Sequence, residues 1–311
     1  MNLSLIIPCY NENDVLDLFY DEVTKVMKLY GKEYELIFVD DGSTDGTKQK
    51  IINMALSDNA VKYISFSRNF GKEAAMLAGM KFSKGEYIGI LDADLQHPPE
   101  FIIKMSEALD SGDYEIAAAR RRDRSGEARI KSYFSKKFYK VINRLADIEI
   151  KDGAQDFRIM KKKVVESILN MPEYHRFSKG IFSWVGYRTK WFEHQNVERP
   201  AGASKWNFRN LLKYGINGII SFSIIPLRIS LVFGIIVSLI GFVQIFQLVL
   251  ATLFFAGAEG VGTGFASIMS AILLVGGTIL ICLGITGEYV SRIYIEVKRR
   301  PIFIIDETNI L

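Results

Sequence analysis

The sequence holds only two cysteines, Cys9 in a first apolar stretch and Cys282 in a much later one. Those stretches are expected in different solvents, which argues against a disulfide, and two cysteines make no zinc-binding pattern. A reducing compartment is the expectation for the soluble part. The opening MNLSLIIPCYNEN lacks a basic stretch and a cleavage motif, so no signal peptide is expected. Charge is missing altogether from two runs, Ile229 to Ala258 and Gly260 to Thr286. Each exceeds the roughly 20 residues that cross a bilayer core. The segment between them carries Glu259 but no lysine or arginine.

Basic residues flank the two runs: Lys205, Arg209, Lys213 and Arg228 before the first, and Arg292, Lys298, Arg299 and Arg300 after the second. The positive-inside rule then places both chain ends in the cytoplasm and the Gly257–Gly264 hairpin outside. The expected division is a catalytic domain over 1–206, an amphipathic interfacial helix over 207–226, spans over 227–257 and 265–290, and a cytoplasmic tail over 291–311. The Gly260/Gly262/Gly264 cluster follows no strand and is not read as a dinucleotide loop.

The first part of the chain alternates short apolar runs with helical periodicity. Strands are expected at Leu3–Pro8, Tyr34–Val39, Val61–Phe66, Tyr87–Leu91 and Tyr114–Ala119. Amphipathic helices stand between them, as Val15, Phe19, Val23 and Val26 show by their spacing. This order implies an α/β fold with a largely parallel sheet covered on both faces. The polar clusters after the first four strands then share one sheet edge, where open α/β sheets bind ligands.

The fourth cluster is the most informative. Asp92 and Asp94 follow a buried strand, with Gln96, His97 and two helix-opening prolines behind them. Hard cations such as Mg²⁺ and Mn²⁺ take oxygen ligands and bridge carboxylates to substrate phosphates. Asp92, Asp94 and Gln96 are therefore candidate metal ligands; the plain alternative is an acidic pair that caps the next helix. Ten lysines and arginines between Arg120 and Arg144 face only Asp123 and Glu127. Interleaved with Ile130, Phe134, Phe138 and Val141, they suit either an anionic membrane surface or a solvated helix. No nucleic-acid module accompanies the patch, so nucleic acid is not an expected partner. The loop Arg199–Lys205, with two cations, a glycine and Ser204, suits a phosphate or a plain surface turn.

Six segments in order carry a resemblance: IIPCYNEN at 6–13, VDDGSTDGT at 39–47, SRNFGKEAA at 67–75, DADLQHPP at 92–99, QDFR at 155–158 and RPAGASKW at 199–206. Together they resemble the family 2 glycosyltransferases of the GT-A fold, and within them the polyprenyl-phosphate glycosyltransferases: dolichol-phosphate mannose synthase and the bactoprenol glucosyltransferases. Trp206 stands where that pattern usually has tyrosine. The resemblance implies a GT-A domain followed by two membrane helices. It implies hexose transfer, with inversion, from a nucleotide-sugar to undecaprenyl phosphate at the cytoplasmic membrane face. UDP-glucose is the implied donor; UDP-GlcNAc, UDP-galactose and GDP-mannose stay open.

Site roles follow from the same resemblance. Pro8, Tyr10, Glu12, Asp41, Asp92 and Lys72 would line the nucleotide-sugar pocket. Asp92, Asp94 and Gln96 would hold Mg²⁺ or Mn²⁺. Asp156 matches the catalytic base, with a structural ion pair to Arg158 or another arginine as the alternative. Arg120, Arg129, Arg158, Arg199, Ser204 and Lys205 would meet donor or acceptor phosphates. A homo-oligomer through Gly276, Gly277 and Gly284 is a further option. A processive polysaccharide synthase is the competing enzyme reading, but the Gln-x-x-Arg-Trp motif is missing. Outside enzymes, a transporter accessory or a binding-only protein would fit; the intact Asp92, Asp94 and Asp156 and the uncharged spans speak against both.

Overall fold

The computed structural model of the chain describes residues 1–121, 143, 151, 153–171, 173–194, 220–254 and 264–310. It divides into two compact units, Met1–Ser221 with Arg300–Leu311, and Phe222–Arg299.

The first unit is built on eight described strands: β1 (Leu3–Cys9), β2 (Tyr34–Asp40), β3 (Val61–Phe66), β4 (Tyr87–Ile90), β5 (Ile116–Arg121), β6 (Ala154–Lys161), β7 (Thr189–His194) and β8 (Ile305–Thr308). They form one sheet in the order β7-β5-β6-β4-β1-β2-β3-β8. β4, β1, β2 and β3 run parallel, as the alternation with helices requires. The expected parallel core is therefore present, but the sheet is mixed. β6 runs antiparallel between β4 and β5, and β8 antiparallel to β3.

The helices are α1 (Leu16–Tyr30), α2 (Thr47–Ser57), α3 (Lys72–Phe82), α4 (Phe101–Asp110), α5 (Lys162–Leu169) and α6 (Ser178–Trp184). Leu16, Phe19, Val23 and Met27 recur on one face of α1 and are fully buried against β1 and β2. Phe19 meets Phe38 edge to face, with ring centroids 6.3 Å apart. Each such side chain contributes roughly 1.5–3 kcal/mol when withdrawn from water. On the other face α3 lies close to β1 because Gly79 has no side chain; a Cβ there would stand 2.2 Å from Ile6 Cγ2.

Ala154–Arg158, which the sequence pattern assigns to no element, forms the first part of β6. Its charged Asp156 and Arg158 interrupt the apolar pattern of a buried strand, and partners far away in sequence compensate for them. The segment 291–311, read as a tail, is part helix and part strand: the last helix runs to Val297, and Ile305–Thr308 joins the sheet. Lys48 holds that strand through Asp306 at 2.8 Å and Glu307 at 3.2 Å, and Tyr63 Oη donates to Glu307.

The second unit holds α7 (Ile225–Phe254) and α8 (Gly264–Val297). Both are long and apolar enough to cross a membrane, over Ile225–Gln244 and Leu274–Val297. Within the unit Tyr289 Oη donates to the Ser223 carbonyl at 2.6 Å. Outward-facing apolar side chains such as Phe242 and Leu280 are exposed. The segment 122–142 of the basic stretch, the interfacial helix up to residue 219 and most of the 257–264 hairpin lie outside the described residues.

Candidate active site

The loops that leave β1, β2, β3 and β4 meet at the carboxyl edge of the sheet. Pro8 near the end of β1, and Tyr10 and Glu12 after it, are half-buried. The Glu12 N–H donates to Thr47 Oγ1 at 2.9 Å and the Asn11 N–H to Ser43 Oγ at 3.0 Å, tying this loop to the one after β2. Asp40 accepts from Ser65 Oγ at 2.9 Å. Asp41 accepts the N–H groups of Phe70 at 2.6 Å and Gly71 at 2.9 Å. Burial pushes the Asp41 carboxyl up to about 6, with those two N–H bonds pulling the other way. Gly42 is required here: its φ is +66°, and a Cβ would fall 2.4 Å from the Arg68 carbonyl carbon.

The centre of the edge is an ionic bridge. The Lys72 ammonium, on the first turn of α3, lies 2.7 Å from Asp92 and 2.6 Å from Asp156. Asp92 follows β4, whereas Asp156 starts the antiparallel β6, which is why the two carboxylates face one cation. Burial works to lower the lysine, but Asp156 and Asp92 overcome it and hold the ammonium far above its ordinary range. Burial likewise works to raise Asp156, and Lys72 and Lys179 hold it well below the usual carboxylate range. In the loop that carries Asp92, Asp94 Oδ1 accepts the Gln96 N–H at 3.1 Å. Leu95 between them has φ +54°, a left-handed conformation that side chains avoid unless their surroundings enforce it.

A histidine pair backs this edge. His97 Nε2 is 4.0 Å from Asp92, its Nδ1 is 3.4 Å from His194 Nε2, and that nitrogen is 2.5 Å from Gln155 Oε1. Burial lowers His97 to about 4, so it is a neutral ring that props the loop.

The family model described as Glycosyl transferase family 2 matches residues 4–169. The putative glycosyltransferase CsbB of Bacillus subtilis is 41% identical over 309 residues, covering 99% of this chain and 92% of that protein. The bactoprenol glucosyl transferase of Shigella phage SfII is 40% identical over 309 residues, covering 99% of each. This chain belongs to glycosyl transferase family 2. It is a glycosyltransferase with the GT-A fold. The glucosyl-3-phosphoglycerate synthase of Mycobacterium tuberculosis overlaps 70% of the chain and 77% of its own at 16% identity and TM-score 0.48, too loosely to argue from.

In this glycosyltransferase the donor set at the edge suits an oxygen-seeking cation. Asp92 and Asp94 offer carboxylates, and among the described residues no group of three His, Cys, Asp or Glu side chains could enclose a metal.

Of the expected site residues, the structure brings Lys72, Asp92 and Asp156 into contact, and Asp94 follows Asp92 in the same loop, where it accepts the Gln96 N–H. The alternative of an Asp156 ion pair with an arginine is replaced by one with Lys72. Asp41 spends both oxygens on backbone N–H groups and so shapes the pocket wall. Arg120 is engaged by Glu193 at 2.6 Å. Arg158 is buried, donates to the carbonyls of Asp156 and Gln155 at 3.2 and 2.6 Å, and lies 3.6 Å over the Phe182 ring. Arg129, Arg199, Ser204, Lys205 and Trp206 lie outside the described residues. Sequence reasoning missed His194 and Lys179, which lie outside every motif.

Proposed function

We propose that the chain transfers a hexose from a nucleotide-sugar, with UDP-glucose first among donors, to undecaprenyl phosphate at the cytoplasmic membrane face. The observation that carries the reading is the Asp92–Lys72–Asp156 bridge at the carboxyl edge, with Asp94 in the same loop as Asp92, in a chain that also bears two long apolar helices. The name of the phage relative, a bactoprenol glucosyl transferase, supports the acceptor and the sugar.

Asp92 and Asp94, with Gln96, would hold Mg²⁺ or Mn²⁺, which when bound would supply positive charge for the leaving diphosphate. Pro8, Tyr10, Glu12 and the Asp41-braced loop line the nucleotide side. An acceptor phosphate oxygen attacks the anomeric carbon on the face opposite the leaving group. The bond from that carbon to the diphosphate oxygen breaks, its electron pair leaves with the nucleoside diphosphate, and the sugar inverts. The acceptor needs no base, because a phosphate monoester with second pKa near ~6 is largely ionised at neutral pH. Asp156, locked by Lys72 in its ionised form, is a poor proton acceptor and orients the site instead. Arg120, Arg129, Arg199, Ser204 and Lys205 are retained as phosphate contacts.

The domain division and topology belong to the same reading. β8 pairs with β3, so the chain re-enters the catalytic sheet after α8. Two crossings, by α7 and α8, return it to the side it left. With the basic flanks, that side is the cytoplasm.

The test uses the purified chain in detergent with undecaprenyl phosphate, Mg²⁺ or Mn²⁺, and a panel of radiolabelled nucleotide-sugars. Label entering an organic-extractable lipid from one donor, and lost with EDTA, is the expected result. Absence of lipid product from every donor overturns the reading.

A further inference from the structure

β6 places a second feature beside Asp156. Ala154 and Arg158 lie two residues to either side of Asp156 along β6. Both line a cavity of about 230 Å³. α6 contributes Lys179, Phe182 and Ser183 to its wall, and β7 contributes Thr189 and Trp191. Lys151 and Tyr187 complete it.

The lining has a clear chemistry. Among the described residues it holds three cations, Lys151, Arg158 and Lys179, and no carboxylate. Glu193, two residues beyond Trp191 on β7, is held by Arg120. Lys179 is close enough to help keep Asp156 ionised. Beside the cations stand three aromatic rings, Phe182, Tyr187 and Trp191. Lone cations would suit any anion; cations with an aromatic wall suit an anion that carries an apolar chain.

We infer that this cavity seats the phosphate of an anionic amphiphile and is the acceptor site of the transfer, an assignment that rests on the function proposed above. Lys179 holds the phosphate. The rings of Trp191 and Tyr187 take the first apolar units of the chain. Arg158, anchored to the carbonyls of Gln155 and Asp156, links the occupied cavity to the strand that carries Asp156.

Two measurements on the full chain in detergent test this. Farnesyl phosphate binding is titrated directly, and transfer to undecaprenyl phosphate is followed in parallel. In Lys179→Gln, which loses a charged hydrogen bond, and in Trp191→Ala, which loses apolar contact, farnesyl phosphate should bind about tenfold more weakly or worse, with Lys179→Arg restoring most of the first loss. KM for undecaprenyl phosphate should rise in step while KM for the donor stays within about twofold. Circular dichroism and melting curves identify variants that fail to fold, and Lys179→Arg carries the comparison if either does. Unchanged acceptor binding in folded variants, or a rise confined to the donor KM, overturns the inference. Inorganic phosphate binding as tightly as farnesyl phosphate also overturns it, since the aromatic wall would then do nothing. If wild type binds farnesyl phosphate through Lys179 yet transfers no sugar, the cavity assignment survives and the proposed reaction fails.

Discussion

Exchanging Lys72 for methionine leaves Asp92 and Asp156 facing one another at the sheet edge with no cation between them. Breaking one partner of such a cluster is costly because the remaining charges stay unpaired. Lys72→Met is expected to lower kcat by roughly 100-fold, the scale found when one preorganised electrostatic partner is removed. Steady-state kinetics with donor and acceptor varied separately check this; a near-normal kcat would detach Lys72 from catalysis. Asp41 gives a pH signature. Its carboxyl is raised to about 6 by burial, so the folded state binds a proton more tightly than the unfolded chain does. The stability this adds is complete below the ordinary carboxylate range and is lost as pH rises through about 6. Asp41→Asn cannot titrate and should lose that descending step. It should also be less stable overall by about 1–3 kcal/mol, because one of the Phe70 and Gly71 N–H groups loses its acceptor. Urea midpoints measured on either side of pH 6 test both; an unchanged slope would mean Asp41 does not titrate there.

At the scale of elements, β8 closes the sheet edge that β3 would otherwise expose. Phe303 stacks on Phe66 with centroids 5.1 Å apart, and Lys48 pairs with Asp306 and Glu307. Removing residues after Arg300 uncovers an unpaired strand edge, which templates association. The truncated chain should melt lower and self-associate, as scanning calorimetry and light scattering would reveal; an unchanged melting temperature would make β8 an ornament. The same strand shows where sequence reading stops. Ile305–Thr308 has one apolar side chain and two acids, and the lysine that holds it lies at position 48. β6 escaped for a related reason: Asp156 and Arg158 look like loop residues until Lys72 and Phe182 are seen to satisfy them. By contrast, β1 to β4 and their helices were legible because apolar strands and a 3.6-residue period repeat within short windows. The edge site was legible with them, since parallel order alone brings the loops after β1 to β4 together. The bridge across it was not, because it joins residues 84 positions apart.

For the whole molecule, two apolar helices with exposed faces make water a poor solvent. The chain should sediment with membranes, resist extraction by salt or carbonate and enter solution with detergent. Release by salt alone would restrict attachment to surface charge. If both helices cross, protease added to sealed, right-side-out vesicles should spare the catalytic unit, and permeabilised vesicles should not.

The central claim is that the edge built by Asp92, Lys72 and Asp156 transfers sugar to a lipid phosphate. The most direct measurement is single-turnover transfer to undecaprenyl phosphate by Asp156→Asn, with donor affinity measured by calorimetry on the same sample. At least a roughly 100-fold loss of lipid-linked product is expected, with donor affinity within about threefold of wild type. Normal product formation by Asp156→Asn would contradict it.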